Sequence, residues 1–212
     1  MKRTLAAAAV VAAAVAAVAA QAAPPQSVTL AANPTVVVYG KTTTLTGQVT
    51  PAAADTKITI QGQACGSTAY KNVTTTKTVA NGTYTVTVTP TTQTNYKAVA
   101  KPVESPAALV RVRPAVVLTR LAARSFSVSV TAAQSFVGKS VVFQRYSKLR
   151  RKWIRVKNVT LTTSAPGTPH PAVNTTAKFS SRVRARTRVR ILMPLAQTQP
   201  CYLSSRSNVV RA

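Results

Sequence analysis

From residue 24 onward the chain alternates threonine, valine and tyrosine in short runs, broken at brief intervals by Gly, Pro or Asn. In TYTVTV (83–88), Tyr84, Val86 and Val88 fall on one side and Thr83, Thr85 and Thr87 on the other. A period of two with one apolar side is a half-buried antiparallel strand. Asn81-Gly82, just ahead of it, is a hairpin-turn signature. No long segment carries the helical period, so the expected fold class is all-β.

Seven strands are predicted in the first half, over 27–30, 41–50, 57–63, 70–79, 82–90, 95–100 and 107–113. Seven more follow in the same order, over 115–120, 125–130, 139–146, 153–161, 178–183, 188–193 and 205–212. In this correspondence Trp153 stands opposite Tyr70, Val183 opposite Val88, and Val189 and Ile191 opposite Tyr96 and Ala98. Seven strands in one order, twice, predict two tandem immunoglobulin-like β-sandwich domains, residues 23–113 and 114–212. Their junction, Arg113-Pro114, leaves almost no spacer and restricts the angle between them.

The chain opens MKRTLAAAAVVAAAVAAVAAQAAPPQ, with a basic start, an apolar Ala/Val run and small residues at Ala20-Gln21-Ala22. That is the layout of a signal peptide over residues 1–22; the rival reading is a retained membrane anchor. The expected location is secreted, extracellular or cell-wall associated, and nothing after residue 22 resembles a membrane helix. An exported chain with two cysteines can hold one disulfide. Cys65 and Cys201 are not equivalent within one sandwich, so a bond joining the two halves is favoured, with separate thiols or an intermolecular bridge as alternatives.

Three stretches of the first half, PTVVVYGKTTTLTGQVTP, ANGTYTVTVTPTTQTNYKAVA and SPAALVRVRP, resemble the Ig-like repeats of secreted actinobacterial proteins. SFVGKSVVFQRY and the terminal CYLSSRSNVV resemble a second repeat of the same group. The resemblance implies an envelope or extracellular setting. It rests on turn and core positions and implies no shared enzymatic activity or ligand.

Catalytic parts are scarce. The titratable groups useful for acid–base work are Asp55 in a turn, Glu104 in a Pro-flanked loop, His170 in PGTPHP and the two cysteines. A metal site needs three or four ligands, and no C-x-x-C or H-x-x-x-H spacing occurs. A phosphate-cradling glycine loop and an S-x-x-K nucleophile are also missing. The chain is expected to be no enzyme and to carry no cofactor or metal.

Charge remains. The whole chain has 28 Lys+Arg and only two acids. Residues 23–113 hold eight Lys/Arg against two acids, net +6, whereas residues 114–212 hold eighteen and no acid, net +18. Two basic segments stand out. RVRARTRVRI places Arg182, Arg184, Arg186, Arg188 and Arg190 on alternate positions, and RYSKLRRKWIRVK sets Arg150, Arg151 and Lys152 at a hairpin turn. The repeat correspondence divides the first segment into two strands around a turn at 185–187. Guanidinium forks suit phosphate, sulfate and carboxylate oxygens, and Trp153 or Tyr146 could stack on a sugar or base. The bland alternative makes the arginines solvated strand residues and Trp153 a core residue, the favoured reading for Trp153. The expected partners are anionic polysaccharide, lipid headgroups or another polyanion. The runner-up partner is another envelope or host protein, and intracellular nucleic acid does not fit an export signal.

Overall fold

The computed structural model describes residues 24–212; the expected signal segment at 1–22 lies outside the described residues. The first half contains β1 (Ser27–Val28), β2 (Ala31–Asn33), β3 (Val36–Val38), β4 (Thr43–Thr50), β5 (Lys57–Ala64), β6 (Lys71–Lys77), β7 (Thr83–Val88), β8 (Thr94–Ala100), β9 (Val103–Glu104) and β10 (Ala108–Arg113). β1, β2 and β7 all pair with β4 to make one sheet. The other sheet runs β3-β10-β8-β5-β6, with β9 on β8. The second half contains β11 (Ala115–Ala122), β12 (Ser125–Ala132), β13 (Ser140–Ser147), β14 (Lys152–Thr160), β15 (Thr163–Pro166), β16 (Val173–Ser180), β17 (Arg188–Met193), a short helix α1 (Leu195–Thr198), β18 (Ser205–Arg206) and β19 (Val210–Arg211). One of its sheets is β11-β12-β16-β15, and the other is β14-β13-β17 with β18 and β19 both on β17.

The all-β expectation therefore holds, with local differences. The first predicted strand is shortened to Ser27–Val28, the last is broken into β18 and β19, and β2, β3, β9, β15 and α1 carry no clear periodic signal. Asn81-Gly82 does turn the chain, with Gly82 at φ +74° and its N–H donating to Val79 O at 2.8 Å. It joins no hairpin, however, because β6 pairs with β5 and β7 with β4, so the turn carries the chain from one sheet to the other. A Cβ at Gly82 would stand 2.8 Å from Val49 O, which favours glycine here a second time. The strand expected at 178–183 runs instead from Val173 to Ser180. Ser181 N–H donates to Arg124 O at 2.9 Å, and the chain then leaves the sheet before Val183, which is not a strand counterpart of Val88.

Each half buries the apolar side of its strands. Leu45, Ile58, Ile60, Tyr84, Tyr96 and Val110 fill the first, and Leu118, Phe126, Val130, Phe143, Ile191 and Met193 the second. Phe126, Phe143 and Phe179 form a triangle with ring centroids 5.0–5.7 Å apart. Aromatic contacts of this kind add about 0.5–1.5 kcal/mol per pair beyond burial. In the first half the Tyr84 hydroxyl donates to Thr29 O, crossing β4 above Gly47. A Cβ on Gly47 would collide with both groups, so that close approach requires glycine.

No strand pairing joins the halves among the described residues, yet they are tied together closely. Cys65, after β5, and Cys201, after α1, form a disulfide with Cα atoms 5.4 Å apart. Around it Gln93 N–H donates to Cys201 O at 3.0 Å, and Leu203 N–H to Val112 O at 2.9 Å. Arg113 Nη1 donates to Ser204 O at 3.3 Å, and Ser205 Oγ donates to Pro114 O, the first residue of the second half, at 2.6 Å. Tyr202, 1% exposed, donates its hydroxyl to Thr91 O at 2.9 Å and accepts from Ala133 N–H at 3.0 Å.

Burial raises the pKa of three of these phenols: Tyr84, Tyr96 to about 12 and Tyr202 to about 12. An acid whose folded pKa lies above its unfolded value supports the fold fully below the unfolded pKa and loses that support as pH rises through the folded one. Stability should therefore fall as pH rises from about 10, the reference tyrosine value, towards 12. Alkaline titration followed by phenolate absorbance should show late components, and Tyr96→Phe and Tyr202→Phe should each remove one.

Candidate functional site

The outer face of the second half's β14-β13-β17 sheet is set by what β17 buries. Val189, Ile191 and Met193 all point into the core, so strand alternation turns Arg188 and Arg190 outward. On β13 the buried Val141 and Phe143 likewise send Gln144 and Tyr146 outward. Arg211 on β19 pairs with Arg188, and Arg206 on β18 with Leu192, which brings both onto the same side.

β14 departs from alternation. It pairs Phe143 with Lys157 but Gln144 with Arg155, leaving Val156 as an extra residue. This β-bulge reverses the side that the rest of the strand presents. Val159 is buried, but Trp153, an even number of residues away, comes out opposite Tyr146 on the outer face. Trp153 is half-buried and outside the core, contrary to expectation, and the bulge is the reason. The first half has the same device. β6 bulges at Val73, and half-buried Tyr70 lies ahead of that bulge with Lys97 Nζ 4.7 Å from its ring centre. Lys97 and Arg190 occupy corresponding places on β8 and β17.

Arginines cover the exposed aromatics. Arg190 Cζ stands 4.1 Å from the Trp153 ring centre and Arg188 Cζ 4.2 Å from that of Tyr146, while the two rings meet edge to face at 5.4 Å. Arg190 reaches Trp153 across β13 and donates from Nε to Gln144 Oε1 at 2.9 Å. Burial first, and the charge of Arg206 second, lower its pKa from the usual arginine value. Guanidinium stacked on a ring keeps its in-plane N–H groups free for oxyanions. The rings act as platforms for arginine, and the covered faces are not open to a sugar or base.

Beside this ladder lies an open cleft of about 610 Å³ lined by Tyr146, Lys148, Arg184, Ala185, Arg186, Thr187, Arg188 and Arg211. The 181–187 loop is held against the last strand, with Arg186 N–H donating to Ala212 O at 2.8 Å and Ala212 N–H to Thr187 O at 2.9 Å. Of the residues singled out from the sequence, Arg184, Arg186 and Arg188 meet at the cleft, and Arg190 adjoins it through the aromatic pair. Arg182 is exposed outside the cleft wall. Arg150 and Arg151 lie in the exposed turn at 148–151, and Lys152 opens β14 beside it, next to the cleft residue Lys148. Arg206 and Arg211 carry no local signal in the sequence, each being an isolated arginine whose neighbours are set by strand pairing.

Three arginines sit in left-handed backbone conformations: Arg124 at φ +63°, Arg151 at +49° and Arg186 at +64°. An L-residue with a side chain loses roughly 1–2 kcal/mol there, and glycine or asparagine would be the ordinary choice. The acids are elsewhere. Asp55 pairs with Lys77 at 3.3 Å and Glu104 with Lys97 at 3.4 Å, both in the first half. His170 is exposed in its loop, and no three His, Cys, Asp or Glu side chains gather among the described residues.

No protein-family model matches the chain, and no curated protein is significantly similar to it.

Because Trp153 is the chain's one tryptophan, its emission reports on the Arg190 stack. Arg190→Ala should increase quenching of Trp153 by acrylamide, whereas Arg182→Ala should leave quenching unchanged.

Proposed function

We propose that this chain is a non-enzymatic binding module of the cell envelope or exterior, whose basic second half associates with anionic polymers or anionic lipid surfaces. The observation that carries this reading is the cleft, where Lys148, Arg184, Arg186, Arg188 and Arg211 converge with no acid in the whole second half. Like charges brought together repel, which costs stability, and an anionic partner removes that cost. Guanidinium groups stacked on Tyr146 and Trp153 are already oriented, so less side-chain freedom is lost on binding.

The two halves are read as tandem immunoglobulin-like sandwiches of the kind borne by secreted actinobacterial repeat proteins, divided at Arg113-Pro114. Supporting this, β4 pairs with β7 and β8 with β5 and β10 in the first half, while β12 pairs with β16 and β17 with β13, β18 and β19 in the second. Export through residues 1–22 is part of the same reading and accords with a disulfide, which oxidising compartments favour.

Duplex DNA serves as a calibrated polyanion probe. If five cations engage phosphates, log affinity against log salt should have a slope of about −4 to −5. Arg184→Gln with Arg186→Gln should bring that slope closer to zero by about two units. Heparin affinity should fall in parallel. A slope that ignores the double substitution would shift the reading to a structural or adhesive protein whose surfaces bind another envelope protein.

A further inference from the structure

The turns of the second half divide between two ends. At one end Ala132 pairs with Val173, and Tyr202, Leu203 and Ser204 make hydrogen bonds with the first half, Tyr202 also accepting from Ala133 N–H. At the opposite end Ser125 pairs with Ser180, the β13–β14 turn projects at 148–151, β17 begins, and β19 closes the chain beside it. This far pole therefore gathers the β11–β12 turn, the 148–151 turn, the 181–187 loop and the cleft. All three left-handed arginines, Arg124, Arg151 and Arg186, lie in these segments.

The pole also carries exposed leucine. Leu149 at the tip of the 148–151 turn is 93% exposed, and Leu121 near the end of β11 is 50% exposed. A hairpin tip ordinarily takes Gly, Asn, Asp or Ser. Here the tip reads Lys148-Leu149-Arg150-Arg151, an apolar side chain ringed by cations. A soluble polyanion gains nothing from Leu149. A bilayer surface engages both parts, because anionic headgroups attract the cations and the boundary beneath them accepts an apolar side chain. A second copy of this chain is a poor occupant, because both acids are paired with lysines in the first half and the second half has none.

We infer that this pole docks on an anionic lipid surface, with Leu149 entering the headgroup–acyl boundary and the surrounding arginines holding lipid phosphates. The inference rests on the proposed polyanion-binding reading and selects the lipid surface within it. Arginines kept in costly left-handed positions fit this role, since glycine there would relax the turn and remove a phosphate contact.

The test uses the whole chain and two probes. Phosphatidylcholine vesicles containing phosphatidylglycerol are compared with pure phosphatidylcholine vesicles by co-sedimentation, and heparin serves as the soluble polyanion. Leu149→Ser should weaken binding to the anionic vesicles about tenfold and leave heparin binding unchanged. Arg150→Gln should weaken vesicle binding roughly fivefold. Leu149→Trp in a Trp153→Phe background should shift its emission to the blue with anionic vesicles and not with heparin. If Leu149→Ser binds vesicles as the parent does, or the parent binds heparin but no vesicles, lipid docking is wrong and the polyanion reading stands. If the parent binds neither probe, the polyanion reading falls as well.

Discussion

The outer face of the second half depends on the inward packing of one strand. Val189, Ile191 and Met193 are each fully buried, and their fit against Phe143 and its neighbours fixes the register of β17. A slip of one residue would put Arg188 and Arg190 into the core, where unpaired guanidinium cannot be accommodated. The hydrophobic requirement of the core thus secures the direction of the arginines more firmly than any polar contact on the surface does. Tyr146 and Trp153 then receive them.

Aromatic support also eases a crowding problem. Arg188 and Arg211 are paired residues on adjacent strands, and Arg190 feels the charge of Arg206. Cations this close in water would spread apart as far as their flexible stems permit. Stacking over Tyr146 and Trp153 holds two of them in place with an attraction of about 0.5–1 kcal/mol each at exposed sites. The first half uses the same arrangement once, with Tyr70 and Lys97, but there Lys97 also meets Glu104 and no excess charge builds up.

Much of this was legible from residue pattern alone. Alternation located the strands that fill the cores, RYSKLRRKWIRVK does form a hairpin, and the Cys65–Cys201 bond was the favoured pairing. RVRARTRVRI is no single strand, since only Arg188, Val189, Arg190 and Ile191 belong to β17. The errors have separate origins. A bulge adds one residue without a mark in composition, so Val156 reversed the side of Trp153 and Val73 disturbed the same count near Tyr70. Arg206 and Arg211 join the site only through pairing with distant Leu192 and Arg188, a relation that local sequence does not display. Arg182 failed the opposite way, adjacent in sequence to the cluster but outside the cleft wall in space.

The disulfide has a consequence for survival among proteases. Cys65 and Cys201 are 136 residues apart, and the segment between them includes the junction and most of the arginines. An enzyme that cuts after basic residues would find the exposed Arg150 and Arg151 readily accessible. One such cut opens a covalent ring without releasing either piece, and the flanking strands remain seated in their sheets. Within the described second half, only a cut beyond Cys201, after Arg206 or Arg211, would shed a fragment at once. The chain can thus be nicked at its most basic tip and persist as one molecule.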